Sequence, residues 1–197
     1  MDRRQDIREL RTPIPVGIGA GTTERFYLQH LRNIKGYKLK LMPRFFGSDN
    51  AYDMSKLVSD ILEGGATAIC LYDKDVTQWN EEQKQQISAF ERQYRDNTNV
   101  ILCGSMPSIE YWFLMHFKDT TKHYQTSKDV IKDLVKYLPG YEKTTAYLKK
   151  DNWVKQMLED KHFSQAINLS NKMVEPNQPH SNVSKAILAL ESQLTHS

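Results

Sequence analysis

The most informative segment of the chain is Ala68-Ile69-Cys70-Leu71-Tyr72-Asp73-Lys74-Asp75-Val76. It is an apolar run of strand-forming residues that ends in two acids with one residue between them. This pattern predicts a buried strand that carries carboxylates at its C-terminal end, the edge at which open α/β sheets bind ligands. Neighbouring carboxylates repel each other unless a cation lies between them, so the pair favours a hard divalent metal. The alternative is a solvent-exposed turn, in which Asp is common.

Two further acids follow predicted strands. Residues 14–18 predict a first strand, which leads through a glycine-rich turn into an amphipathic helix capped by Thr22 or Thr23, with Glu24 in its first turn. Residues 100–103 predict the last strand, and Glu110 lies at the start of the helix that follows it. Either glutamate could simply complement the positive end of its helix.

The remaining pattern alternates strands and helices. Residues 37–46 predict a strand that ends early or lies at an edge because of Pro43, and helices are predicted from about 50 to 63 and from 79 to 95. The order predicts a mostly parallel four-stranded sheet with right-handed crossovers. Parallel strands end at one edge, so we expect the acids Glu24, Asp73, Asp75 and Glu110 to converge there.

The second half of the chain predicts no strand. Amphipathic stripes at 130–138, 151–171 and 183–194 predict helices packed against the sheet. We therefore expect a single domain over residues 1–197, with an α/β core at about 13–120 and a helical cap at about 121–197. Within it, His116 is interpreted as a hydrogen-bonded core residue rather than a ligand. Several lysines of this half could contact a phosphate backbone, although lysines on such helices are usually only solvent-exposed: Lys143, Lys149, Lys150, Lys155 and Lys161.

Composition fits a soluble globular protein, with 39% hydrophobic residues, 26% charged residues and a net charge of +3 in 197 residues. This mildly basic balance permits a polyanionic partner without requiring one. Cys70 and Cys103 lie in apolar strand-like runs, which favours a reducing compartment. The charged N-terminus leads into no apolar segment, so we expect a cytoplasmic protein without a membrane partner.

Two other site types fit the sequence less well. The glycine-rich turn at Gly17, Gly19 and Gly21 lacks the lysine of a phosphate-binding Walker loop and the spacing of a dinucleotide fingerprint. The run from Asp73 to Thr77 matches the Asp-x-Asp-x-Thr motif of haloacid-dehalogenase-type phosphatases. That motif normally follows the first strand, whereas here it follows the third.

Three blocks of the sequence resemble the RloB family. They are Thr22-Thr23-Glu24-Arg25-Phe26-Tyr27, Leu71-Tyr72-Asp73-Lys74-Asp75, and Ser105-Met106-Pro107-Ser108-Ile109-Glu110-Tyr111-Trp112-Phe113-Leu114-Met115-His116-Phe117. The Ser-x-Pro-Ser-x-Glu-Tyr-Trp run is the most specific part. Tyr141-Glu142-Lys143 is also similar to that family, so the resemblance spans roughly residues 14–190.

The resemblance implies a Toprim-like fold and metal-dependent cleavage of DNA or RNA. Glu24, Asp73 and Asp75 would hold Mg²⁺ or Mn²⁺, and Glu110 would be a further acid of the catalytic site. Such proteins are encoded beside an AAA-type ATPase in restriction-linked or abortive-infection loci, so an antiphage role with that partner is also implied. The Trp- and Phe-rich surface of the helical half is a candidate interface for a homo-oligomer.

One position departs from the family pattern. The family usually has a Glu-Gly pair after the first strand, whereas this chain has Ala20-Gly21. Two interpretations follow. Either Glu24 takes over the role of the missing acid in a working nuclease, or the protein is a catalytically degenerate module that binds a nucleic acid or the ATPase.

Overall fold

A five-stranded sheet forms the centre of the structure, a computed structural model that describes residues 13–42, 51–74, 81–120, 122–172 and 178–195. Among these residues the strands are β1 (Val16–Gly19), β2 (Lys40–Leu41), β3 (Ala68–Asp73), β4 (Val100–Met106) and β5 (His180–Ser181). Their order across the sheet is β2-β1-β3-β4-β5. β1 to β4 pair in parallel and β5 pairs antiparallel with β4. The predicted mostly parallel α/β sheet is therefore confirmed.

The prediction of four strands is wrong. The additional strand, β5, comes from the helical half, where Ser181 pairs with Ser105 and His180 pairs with Met106. Two residues are too short for an alternating pattern, so no sequence signal marked this strand. The predicted strand 37–46 is also shorter: β2 contains only Lys40–Leu41, and residues 43–50 lie outside the described residues.

Helices cover both faces of the sheet. In chain order they are α1 (Thr22–Lys35), α2 (Ala51–Glu63), α3 (Glu81–Tyr94), α4 (Ile109–Met115), α5 (Ser127–Leu134), α6 (Thr145–Leu148), α7 (Asn152–Met157), α8 (Asp160–Lys172) and α9 (Val183–Thr195). Strand alternation divides the interior into two apolar cores. Ile69 and Leu71 of β3 pack with α1, α4 and the C-terminal helices, whereas Cys70 and Tyr72 pack with α2 and α3.

The start of α1 differs from the prediction. Neither Thr22 nor Thr23 caps it, because Gly21 occupies the N-cap position with extended backbone angles and both threonines lie inside the helix. Glu24 lies in the first turn, as expected. The end matches a common helix stop, since Gly36 adopts the left-handed conformation there with φ of 71°.

Helix α4 is buried on every side. All seven of its residues are buried, and Trp112 Nε1 donates a hydrogen bond of 2.8 Å to the hydroxyl of Tyr27 in α1. Helices that are apolar all round belong to protein interiors. The helical half explains this burial, because α5 and α8 contact α4 in addition to the strands β4 and β5.

The C-terminal half is helical, as predicted. The stripe at 151–171 contains two helices, α7 and α8, rather than one. Trp153 of α7 and Tyr27 of α1 belong to the same apolar core, so the cap and the sheet share one interior. In the part of the chain that the structure describes, no helix is long and apolar enough to cross a membrane.

His116 corrects a detail of the prediction. It is fully buried in the core, as expected, and its Nδ1 lies 2.9 Å from the backbone oxygen of Trp112. Its Nε2, however, is the one buried side-chain polar atom without a hydrogen-bond partner among the described residues. Burial, together with the nearby His162, lowers the pKa of His116 to about 4.

This buried imidazole makes stability depend on pH. The unfolded chain binds a proton at about pH 6.5 that the folded state accepts only near pH 4, so stability falls as the pH drops through this window. We expect a loss of about 3 kcal/mol from this residue alone. Denaturant unfolding of the wild type and of His116→Phe between pH 7 and 4 measures it. The variant should show the smaller loss, and equal slopes would contradict the assignment.

Candidate active site

The candidate site lies at the C-terminal edge of the sheet, between β1 and β3. These strands are adjacent, yet the chain leaves β1 through α1 on one face and β3 through α3 on the other. Helices that depart in opposite directions open a crevice at this point, and doubly wound sheets bind ligands in such crevices. Glu24 follows β1 and Asp73 ends β3, so two predicted site residues lie on the two sides of the crevice.

Three of the four predicted acids come together there. Glu24 and Glu110 are buried, and Asp73 is partly buried. The pKa of Asp73 is raised well above its ordinary value, first by loss of water contacts and then by the negative charges of Glu24 and Glu110. Packing three acids into one buried group costs free energy unless a cation offsets it.

Glu110 is held by three donors. Its Oε2 accepts a hydrogen bond of 2.6 Å from the Ser108 hydroxyl, and its Oε1 accepts one of 2.8 Å from Tyr141. Lys143 Nζ lies 3.0 Å from the same Oε1. A carboxylate with this many strong donors is fixed in place, so Glu110 supplies a rigid negative charge at the site.

Lys143 brings a positive charge to the acids. Its side chain remains 41% exposed, while the Glu110 carboxylate that it contacts is fully buried. Partial burial lowers the pKa of Lys143, but attraction to Glu110 and Asp73 outweighs this, so the pKa is raised and the lysine is charged. Lys143 is exposed, as the sequence predicts, but it is not only solvated, because its Nζ also pairs with the buried Glu110 carboxylate. The available signal was the resemblance of the Tyr141-Glu142-Lys143 run to the RloB family.

Asp73 is oriented by the backbone of α4. The N–H of Ile109, the first residue of that helix, donates a hydrogen bond of 2.7 Å to Asp73 Oδ1. The contact fixes one carboxylate oxygen. It also links the end of β3 to the Ser108-to-Tyr111 block, which explains why the two sequence blocks belong to one site.

Glu24 lies close to the backbone at Gly21. A Cβ atom placed on Gly21 would lie 2.7 Å from Glu24 Oε2, nearer than such atoms approach in proteins. The extended backbone of Gly21 suits any residue, so the glycine is needed for space rather than for conformation. The carboxylate of Glu24 is thus folded back toward the position that follows Ala20.

The family can now be stated. The family model of RloB-like proteins matches residues 16–190, which cover most of the chain. The chain belongs to the RloB-like family. No curated protein and no solved structure matches it. The three blocks described in the sequence thus lie within the matched region of this RloB-like protein. The structure brings Glu24 and Asp73 from them to one crevice, with the buried Glu110 close enough to act on the charge of Asp73.

The acids present fit one type of metal site. Among the described residues, no three Asp, Glu, His or Cys side chains are placed to hold a metal ion together. Asp75, the remaining predicted ligand, lies outside the described residues. Glu24 and Asp73 remain, and Mg²⁺ is commonly bound by one or two carboxylates together with waters and substrate phosphates. The donor set suits such an open site and not a closed cage.

Proposed function

We propose that this RloB-like protein is a metal-dependent nuclease that hydrolyses phosphodiester bonds in DNA or RNA. The observation that carries the proposal is the convergence of Glu24, Asp73 and Glu110 with Lys143 at the crevice between β1 and β3. Family membership supports it. A site for a metal and a phosphate requires charges of both signs, and acids with strongly shifted pKa values in a cleft are typical of functional sites.

Each residue has a distinct role in this proposal. Glu24 and Asp73 hold Mg²⁺ or Mn²⁺, and Asp75 is a further predicted ligand. A bound divalent ion would polarise the phosphate and lower the pKa of a coordinated water. Lys143 contacts a phosphate oxygen and stabilises the negative charge that develops on it. Glu110, held by Ser108 and Tyr141, positions Lys143.

Cleavage assays test the proposal directly. The wild type, Asp73→Ala and the control Asp96→Ala, which changes an exposed acid, are incubated with plasmid and with total RNA in Mg²⁺ or Mn²⁺. We expect cleavage by the wild type and the control, and a loss of at least about 1,000-fold in Asp73→Ala. Equal cleavage by Asp73→Ala would exclude this site as the source of the activity.

The Gly21–Glu24 contact gives a prediction about metal affinity. In Gly21→Ala the new methyl group displaces the Glu24 carboxylate, and because this carboxylate ends a flexible side chain, the fold is retained. We expect Mn²⁺ affinity to fall by about 10- to 100-fold with little change in Tm, since groups that orient metal ligands have effects of this size. Gly64→Ala is the control, because its Cβ would make an ordinary 3.4 Å contact. Unchanged Mn²⁺ affinity in Gly21→Ala would contradict the role of Gly21.

Ala20 supports a second candidate, a catalytically degenerate module that binds nucleic acid or a partner. Alanine supplies no ligand, and Lys143 already places a positive charge beside Glu110. This candidate predicts stable binding without turnover in any metal, and recovery of cleavage in Ala20→Glu. In either case we propose a role in antiphage defence with an AAA-type ATPase, which co-purification of such an ATPase with the tagged protein from its native host would test.

A further inference from the structure

The acids form only part of a larger cleft at the sheet edge. The cleft has a volume of about 270 Å³. Besides charged residues, its lining contains four side chains that belong to the apolar core on the α2 and α3 face: Ala20, Met54, Tyr72 and Ile87. A cleft with charged residues at one side and an apolar wall at the other suits a ligand in which a charged group is joined to an aromatic ring.

The apolar wall is preformed. The hydroxyl of Tyr72 donates a hydrogen bond of 2.8 Å to Glu91, and its ring packs edge-on against Phe90. Met54 and Ile87 are held in α2 and α3, which contact each other. A ligand therefore meets an ordered surface, except for the adaptable thioether of Met54. Because the wall is already ordered, packing a ring against it costs little further conformational entropy.

The size of the cleft limits what can enter. At about 270 Å³ the cleft lies just below the range of about 300 to 1,000 Å³ that is usual for small-molecule sites, so it has room for no more than about one nucleotide unit. A base that is paired and stacked in a duplex cannot reach into such a crevice, and enzymes that bind one base in a pocket act on single strands or extrude it from the helix. Stacking on apolar and aromatic side chains does not depend strongly on base identity.

We propose that this cleft holds the base of the nucleotide whose phosphate lies at Glu24, Asp73 and Lys143. This inference rests on the proposed nuclease function. The substrate is therefore single-stranded nucleic acid, or a nucleotide extruded from a duplex. Ala20 determines this specificity, because its methyl group leaves open the space that a longer side chain would fill. The alanine is then a feature of the binding site as well as a missing acid.

Binding can be measured without metal and without turnover. The methionine methyl groups are labelled with ¹³C, and uncharged nucleosides are titrated into the wild type, Ala20→Leu, Ile87→Phe and the size-matched control Ala20→Ser. We expect a saturable shift of the Met54 methyl signal in the wild type and Ala20→Ser. Affinity should fall by at least about tenfold in the two cleft-filling variants, as expected when stacking contacts are lost. The signals of Met115 and Met157, which lie in the other core, report whether each variant is folded.

A cleavage assay then distinguishes the proposal of a base-binding cleft from the proposal of nuclease activity. Single-stranded DNA, single-stranded RNA and the matching duplexes are compared with the same variants. A preference for single strands over duplexes that Ala20→Ser keeps and Ala20→Leu loses supports the cleft assignment. No Met54 shift with any nucleoside, or equal binding by Ala20→Leu, overturns it whatever the cleavage result. A Met54 shift without cleavage of any substrate supports the cleft and counts against the nuclease.

Discussion

Replacing Asp73 with asparagine is expected to stabilise the protein while it removes metal-dependent cleavage. The Asp73 carboxylate is destabilised by its partial burial and by Glu24 and Glu110, and asparagine removes the charge. The amide oxygen can still accept the hydrogen bond from the Ile109 N–H. Because asparagine removes this unfavourable charge, we expect Asp73→Asn to have a higher Tm than the wild type at neutral pH.

The pH dependence distinguishes this explanation from a general packing effect. At low pH the carboxyl of Asp73 is protonated in both the folded and the unfolded chain and does not affect stability. As the pH rises, its raised pKa in the folded state makes ionisation unfavourable there, so the folded state is destabilised. The advantage of Asp73→Asn should therefore be small below about pH 4 and should grow toward neutral pH. Mg²⁺ should reduce it, because the ion stabilises the wild type only. A variant less stable than the wild type at pH 7 would contradict the account.

Replacing Lys143 with methionine is expected to have the opposite effect on stability. Methionine keeps most of the side-chain length but leaves Glu110, Asp73 and Glu24 without the charge that offsets them. Removing one partner of a buried charge pair destabilises proteins strongly, although solvent access to Lys143 moderates the loss here. We expect Tm to fall by several degrees and cleavage to fall by at least about 100-fold, the scale seen when a donor to developing charge is lost.

Two control variants make this result specific. Lys149→Met removes an exposed lysine of the same region and should change neither property. Lys143→Arg keeps the charge and should retain most of the stability. Thermal unfolding and cleavage rates, measured on the same preparations, provide both readouts. Wild-type cleavage by Lys143→Met would remove the lysine from the proposed site.

The parallel sheet and the meeting of the acids could be predicted from sequence because both follow from local patterns. An apolar run such as 68–72 predicts a buried strand, and the order of elements predicts parallel pairing. Parallel strands end at one edge, so the pattern alone predicts that Glu24, Asp73 and Glu110 lie close together. The Toprim-like details of the fold and the cap boundary near residue 121 remain predictions.

The residues that complete the site could not be predicted because they arrive through long-range contacts. Lys143 and Tyr141 lie in a loop of the helical half, about 30 residues after Glu110, and nothing local distinguishes this lysine from its exposed neighbours. Strand β5 is similar, since its two residues are held by pairing with β4 and by a 2.8 Å contact between the hydroxyls of Ser105 and Ser181. Such contacts depend on tertiary packing rather than on local propensity.

Binding of Mn²⁺ tests the central claim, that Glu24 and Asp73 hold a divalent ion at this crevice. Electron paramagnetic resonance counts bound Mn²⁺ in the wild type, Glu24→Gln, Asp73→Asn and the exposed-acid control Asp96→Asn. We predict a saturable site in the wild type and the control that Mg²⁺ competes for, with affinity reduced by at least tenfold in Glu24→Gln and Asp73→Asn. Equal Mn²⁺ binding by all four proteins would contradict the account.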